Sequence, residues 1–149
     1  WSSDVCSSDL RTLSPMDSAA PTPTDPTGLT VLGNTVRHAI DHVEVFPAPA
    51  HVMTVRFTTD ELQSMCPVTQ QPDIAHVVIE YTPDAWCIES KSLKLYLWGF
   101  RDRAVFAEAL TAEIANEVMT TAQPKDVTVT LTQRPRGGIE VQAVARLHR

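Results

Sequence analysis

Val127-Thr-Val-Thr-Leu-Thr132 is the stretch that decides the fold. Apolar residues alternate with threonines, the period of a strand with one face inward and one outward. Arg136-Gly-Gly138 follows as a turn, and Ile139, Val141, Ala143 and Ala145 point one way along a last strand, so the two strands form a hairpin. Upstream, Pro124 closes a stretch of different period. Phe106, Leu110, Ile114 and Val118 recur at helical spacing, as do Leu93, Tyr96, Leu97 and Phe100, with Arg101-Asp-Arg103 as the hinge between two helices. Earlier still, His51 to Phe57 reads as a strand with Met53, Val55 and Phe57 on one face. His76 to Thr82, bounded by Pro72 and Pro83, reads as a second. The order ββααββ predicts an α+β fold, an antiparallel sheet with two helices on one face. Neither a βαβ alternation nor a GxGxxG stretch occurs, which excludes a Rossmann crevice.

The chain has 149 residues, room for one domain with a hydrophobic core. Residues 1–30, rich in Ser, Thr, Pro and Asp, are expected to form a disordered tail, and residues 31–149 the domain. Met16 reads as a natural start and residues 1–15, Cys6 among them, as a cloning or sequence-assembly remnant. A net charge of −6 argues against holding nucleic acid by its phosphates. No apolar run reaches the roughly 20 residues of a membrane span, and the first residues lack the layout of a secretory signal, so a cytoplasmic location is expected. Three cysteines without CxxC or metal-ligand spacing predict free thiols and no metal site. The histidines carry no recognisable motif.

Three stretches hold residues capable of chemistry. In SMCPVTQQPD (residues 64–73) a cysteine sits between prolines that stiffen the loop, with Asp73 seven residues on. Spacing alone reads first as a proline-containing turn with a core cysteine and a capping aspartate. The alternative is a nucleophile, Cys66, with a proton donor or acceptor, Asp73. In ESKSLKLY (residues 89–96) Ser90 or Ser92 can cap a helix, and Lys91 and Lys94 place two cations in its first turn, against the macrodipole. That is either an ordinary solvated pair or a hint of a bound anion. Glu108, between Ala107 and Ala109, is a surface carboxylate or one with space for a ligand against it.

Taken together, SMCPVTQQPD, ESKSLKLYLWGFRDRAVFAE (residues 89–108) and PRGG (residues 135–138) closely resemble the QueF family of 7-cyano-7-deazaguanine reductases, from about Phe57 to Val141. The resemblance implies a tunnelling fold (T-fold), whose ββααββ protomers join sheets edge to edge into rings, here two stacked pentamers, with active sites between neighbouring subunits. It implies NADPH-dependent reduction of a deazaguanine nitrile through a cysteine thioimide, on the way to the queuosine modification of tRNA. Cys66 then matches the nucleophile and Asp73 the proton donor. Ile88, Glu89, Ser90, Ala107 and Glu108 match the substrate-binding positions, and Lys91, Ser92, Lys94 and Arg136 those linked to NADPH. Ala107 stands where the family often has His, and Gln70 where it usually has Gly. The same resemblance leaves a QueF-like amidinotransferase as the runner-up, without need of the NADPH signature, and an inactive T-fold scaffold as the third reading.

Overall fold

The computed structural model describes residues 29–149. Residues 1–28 of the expected tail, with Cys6 and Met16, lie outside the described residues. Thr30, also assigned to that tail, is held in place: its amide donates to Glu44 Oε1 at 2.8 Å.

Among the described residues, six strands and two helices follow in the order β1 (Val45–Pro47), β2 (Val55–Met65), β3 (Pro72–Thr82), β4 (Trp86–Ile88), α1 (Ser90–Trp98), α2 (Ala107–Ala122), β5 (Asp126–Arg136) and β6 (Ile139–His148). The four long strands make one antiparallel sheet in the order β2-β3-β5-β6, so the expected ββααββ framework is present. β1 and β4 pair as a separate two-stranded ribbon that the sequence reading did not contain, each strand being only three residues long.

The alternation in β5 puts Val127, Val129 and Leu131 in the core with at most 1% of their surface exposed. They meet Val77, Ile79 and Tyr81 of β3 and, from the helices, Leu93, Tyr96, Leu110, Ile114 and Val118. One stripe per helix and one face of the sheet are thereby removed from water, the main favourable contribution to this fold. α2 lies across β5 and β6, while α1 reaches the β2 side. No helix among the described residues is long and apolar enough to cross a membrane.

Several boundaries differ from expectation: α1 ends at Trp98, short of Phe100, and two of the others shape the site. β2 starts at Val55 and runs on to Met65, past the polar Thr-Thr-Asp-Glu stretch that hid it, with an irregularity between Thr59 and Leu62. Met53, assigned to that strand, lies outside it and is 76% exposed. β3 begins at Pro72, so Cys66 to Gln71 is the connection of a β2–β3 hairpin. Phe106, expected on the inner stripe of α2, is its N-cap residue and is 57% exposed.

Candidate active site

Cys66 and Asp73 stand at opposite feet of the β2–β3 hairpin, a consequence of the Met65–Pro72 pairing. The loop between them is closed by its own backbone. Cys66 N–H donates to the Gln71 carbonyl and Gln70 N–H to the Cys66 carbonyl, each at 2.9 Å. A second anchor comes from the interhelical hinge. Met65 N–H donates to the Arg103 carbonyl at 2.9 Å and Val105 N–H to the Met65 carbonyl at 3.1 Å, a parallel bridge that welds the end of β2 to the approach to α2. Arg103 itself is fixed by a two-pronged ion pair to Glu113, at 2.7 and 3.0 Å.

Gln70 closes the loop with φ +55°, in the left-handed region. A side chain there costs roughly 1–2 kcal/mol. Its amide offsets part of this by donating to the Pro67 carbonyl at 3.2 Å. Gln70→Gly is expected to raise the unfolding free energy by up to about 1 kcal/mol, read from urea denaturation. A midpoint at or below that of the parent protein would show that the side-chain bond outweighs the strain.

The end of the sheet that carries this loop also carries the turn of the β5–β6 hairpin, because β5 runs antiparallel beside β3. The first turn of α2 comes to the same place. Together they enclose a cavity of about 260 Å³ whose walls include Cys66, Asp73, Ala107, Glu108, Arg134 and Arg136. Cys66 is 7% exposed and the Asp73 side chain 10%. Glu108 is exposed and sits in the first turn of α2, where a carboxylate is favoured by the helix dipole. Ala107, at the first position of α2, puts only a methyl group into the wall.

The environment favours a thiolate. The Thr69 hydroxyl, the Thr69 amide and Arg136 draw the Cys66 thiol down to about 6. A hydrogen-bonded sulfur facing a cation, in a loop of fixed shape, is the usual setting of a reactive cysteine. Cys87 is the opposite case, buried in the core with its thiol pushed up by desolvation. Thr69 and Gln71, which surround the sulfur and its arginine, were not singled out in the sequence. Their place inside the cysteine loop was the available signal.

The residues around the start of α1 lie elsewhere. Glu89 is the N-cap, its two carboxylate oxygens accepting from Lys91 N–H at 2.8 Å and Ser92 N–H at 2.7 Å. Capping by Ser90 or Ser92 is thus replaced by capping from Glu89. The chain itself thus supplies an anion to the backbone amides of the helix start, while the Lys94 ammonium stays exposed. Ile88 and Glu89 are buried, at 2% and 5% exposure, and of the three expected substrate contacts here Ser90 alone is open.

Ser92, expected to touch a cofactor, has no exposed surface. Its hydroxyl donates to the Glu89 carbonyl and accepts from Glu44 N–H, so it serves the helix start. The Lys91 ammonium donates to the carbonyls of Val31 (2.8 Å) and Asn34, strapping the segment before β1 onto α1. Lys94 is exposed and lines a second, larger cavity of about 620 Å³ between α1 and the β2–β3 edge, together with Ser90, Trp98 and Arg101. Arg101, read earlier as hinge, lies with its guanidinium carbon 5.8 Å from the centre of the Trp98 ring. Arg136, grouped by expectation with the lysines, stands in the smaller cavity with Cys66 and Asp73.

A model of the family described as QueF-like protein matches residues 72–149. The NADPH-dependent 7-cyano-7-deazaguanine reductase of Rhizobium rhizogenes is 41% identical over 124 residues, 79% of this chain and 80% of the relative. Its namesake from Granulibacter bethesdensis is 40% identical over 120 residues, covering 76% and 78%. With the reductase of that name from Sinorhizobium fredii, identity is 48% over 87 residues, where the chain spans 56% of the relative's length. Among solved structures, the apo archaeosine synthase QueF-Like superposes with a TM-score of 0.60 at 28% identity, over 63% of this chain and 92% of that one.

Proposed function

This chain belongs to the QueF family, and from that premise we propose that it reduces the nitrile of 7-cyano-7-deazaguanine to an aminomethyl group with NADPH, a step of queuosine biosynthesis. The observation that carries the reading is the meeting of Cys66, Asp73 and Glu108 in one cavity.

The residue types suit the chemistry. A nitrile carbon is a modest electrophile, and addition of the Cys66 sulfur turns it into a thioimide, splitting one hard step into easier ones. The carbon–sulfur bond forms as one carbon–nitrogen π bond is lost. With the sulfur attacking as thiolate, the nitrile nitrogen takes up one proton, and Asp73, in the same wall, is placed to deliver it. Glu108 presents a carboxylate to the paired N–H donors on the edge of a guanine-like ring. With Ala107 in place of a histidine, that grip relies on Glu108 and on the loop around Cys66.

The larger cavity fits a nucleotide by its donor set. Lys94 and Arg101 offer two cations against one lining carboxylate, Glu61, beside the flat face of Trp98. NADPH, when bound, supplies the hydride. Lys94 and Arg101 would hold its phosphates, with Ser90 at the same wall. Lys91 belongs to this cluster only if it exchanges its backbone carbonyls for phosphate oxygens.

The two cavities share no lining residue in the protomer. That separation supports a site completed between copies of the chain, the small cavity of one facing the large cavity of its neighbour in a ring. A runner-up, addition of ammonia to the same nitrile, is favoured by no residue here that the reductase leaves unused, whereas Lys94 and Arg101 go unexplained by it.

The test is to follow NADPH absorbance in the presence of 7-cyano-7-deazaguanine. Two NADPH consumed per nitrile is the expected result, and an adduct on the protein without NADPH loss would replace reduction by amidine formation. In the same assay, mixing Cys66→Ala with Lys94→Ala protomers, each inactive alone, is expected to restore turnover if sites are shared. Failure of exchanged mixtures to regain activity would return both cavities to one protomer.

A further inference from the structure

Arg136 makes a set of contacts to which the reaction above assigns no work. Nη1 lies 3.0 Å from Thr69 Oγ1, 3.3 Å from Gln71 Oε1 and 3.4 Å from Asp73 Oδ1. Thr69 in turn donates its amide to Cys66 Sγ at 3.5 Å. One guanidinium therefore joins the loop that carries the sulfur to the carboxylate on the next strand.

Arg136 is the last residue of β5, beyond a register irregularity that begins at Gln133. Gly137 and Gly138 complete the turn with φ of +62° and +82°, and a Cβ on either would meet nothing within 4 Å. The glycines are thus required for backbone direction, not for room. The turn aims Arg136 back across the cavity mouth.

We propose that Arg136 is the positioning residue of this site, clamping the Thr69–Gln71 turn against Asp73 so that the Cys66 sulfur and the Asp73 carboxylate face the cavity together before substrate enters. The role rests on the reading of Cys66 as nucleophile and Asp73 as proton carrier. The two N–H bonds of Nη1 are directed to Thr69 and Gln71 while the charge holds Asp73, and the rigid guanidinium plane fixes that nitrogen in place better than a lysine ammonium on a flexible stem would. The Arg136 side chain is 38% exposed, so its pairing with Asp73 adds little to folding stability, and its removal leaves the fold intact.

The experiment is the rate of Cys66 alkylation by iodoacetamide against pH in the unliganded protein, with Cys66→Ala as the background control. The parent protein is expected to show an inflection near 6. In Arg136→Ala the inflection moves up toward the ordinary thiol range, and kcat for nitrile reduction falls roughly tenfold to a hundredfold, the scale of a misplaced reacting group. The Michaelis constant for the nitrile changes far less. Arg136→Lys restores part of the inflection, through its charge, but little of kcat, because a flexible stem does not hold the loop in place. Thr69→Val moves the inflection in the same direction, since it removes the hydroxyl beside the sulfur together with one Arg136 contact.

An unchanged alkylation profile in Arg136→Ala overturns the proposal, and so does a defect confined to the Michaelis constant for NADPH. An inflection that depends on Arg136 in a protein that never reduces the nitrile would support the clamp and remove the reductase reading instead.

Discussion

Cys66→Ala is expected to abolish nitrile-dependent NADPH consumption, a loss of at least about a thousandfold, because removal of a covalent nucleophile removes the pathway and not a contact. The same substitution should eliminate the mass adduct formed when the parent protein meets 7-cyano-7-deazaguanine without NADPH. Folding should be little affected, since a small side chain at the cavity wall is being exchanged for another of similar size. The pH dependence follows from the same sulfur. With its thiol drawn down to about 6 by Thr69 and Arg136, the reactive thiolate is present at neutral pH and is lost as pH falls through that value. The acid limb of kcat/KM should therefore bend near 6, well below the range of an unperturbed cysteine. Residual turnover in Cys66→Ala with an unaltered pH profile would mean that hydride reaches the nitrile without a thioimide.

Asp73→Asn should lower kcat about 10²- to 10⁴-fold, the contribution of a placed proton carrier, while leaving Cys66 alkylation measurable. The substitution keeps the shape of the side chain at the head of β3 and the acceptor oxygen that Arg136 faces, so the clamp around the loop persists. What is lost is the ability to take up and give back a proton beside the forming nitrogen–hydrogen bond. Adduct formation should slow with turnover, because addition of sulfur to the nitrile needs that proton as well. Full activity in Asp73→Asn would assign the proton to solvent and leave Asp73 as the anchor of Arg136.

Much of the architecture was legible from local pattern. The threonine alternation of β5 and the helical stripes of α1 and α2 each follow from which face a side chain presents, and that is a property of a few consecutive residues. β1 and β4 were not legible, because three residues are too few to show a period and each is a strand only through the other. The polar stretch of β2 misled for a related reason: Thr58 and Thr59 are strand through pairing with β3, and the irregularity that follows at Asp60 and Glu61 breaks the pattern.

For the site the division is sharper. Cys66, Asp73 and Glu108 could be named as candidates from the motifs that carry them, and the three line one cavity. Which other residues join them depended on register and on competition for polar groups, neither of which a linear pattern contains. Arg136 left the lysines for the cysteine because antiparallel pairing of β3 with β5 puts both hairpin turns at one end of the sheet. Ser92 and Lys91 sit in a motif that reads as cofactor-binding, yet the first is consumed by the start of α1 and the second by carbonyls some 60 residues away. By itself the sequence determined the order of the four long strands and two helices, most of their core stripes, and the candidates for nucleophile and carboxylates. The tertiary structure alone decided which charged groups face a cavity and which are spent on folding, because a buried N–H or carbonyl must find a partner and takes whichever side chain the packing brings to it.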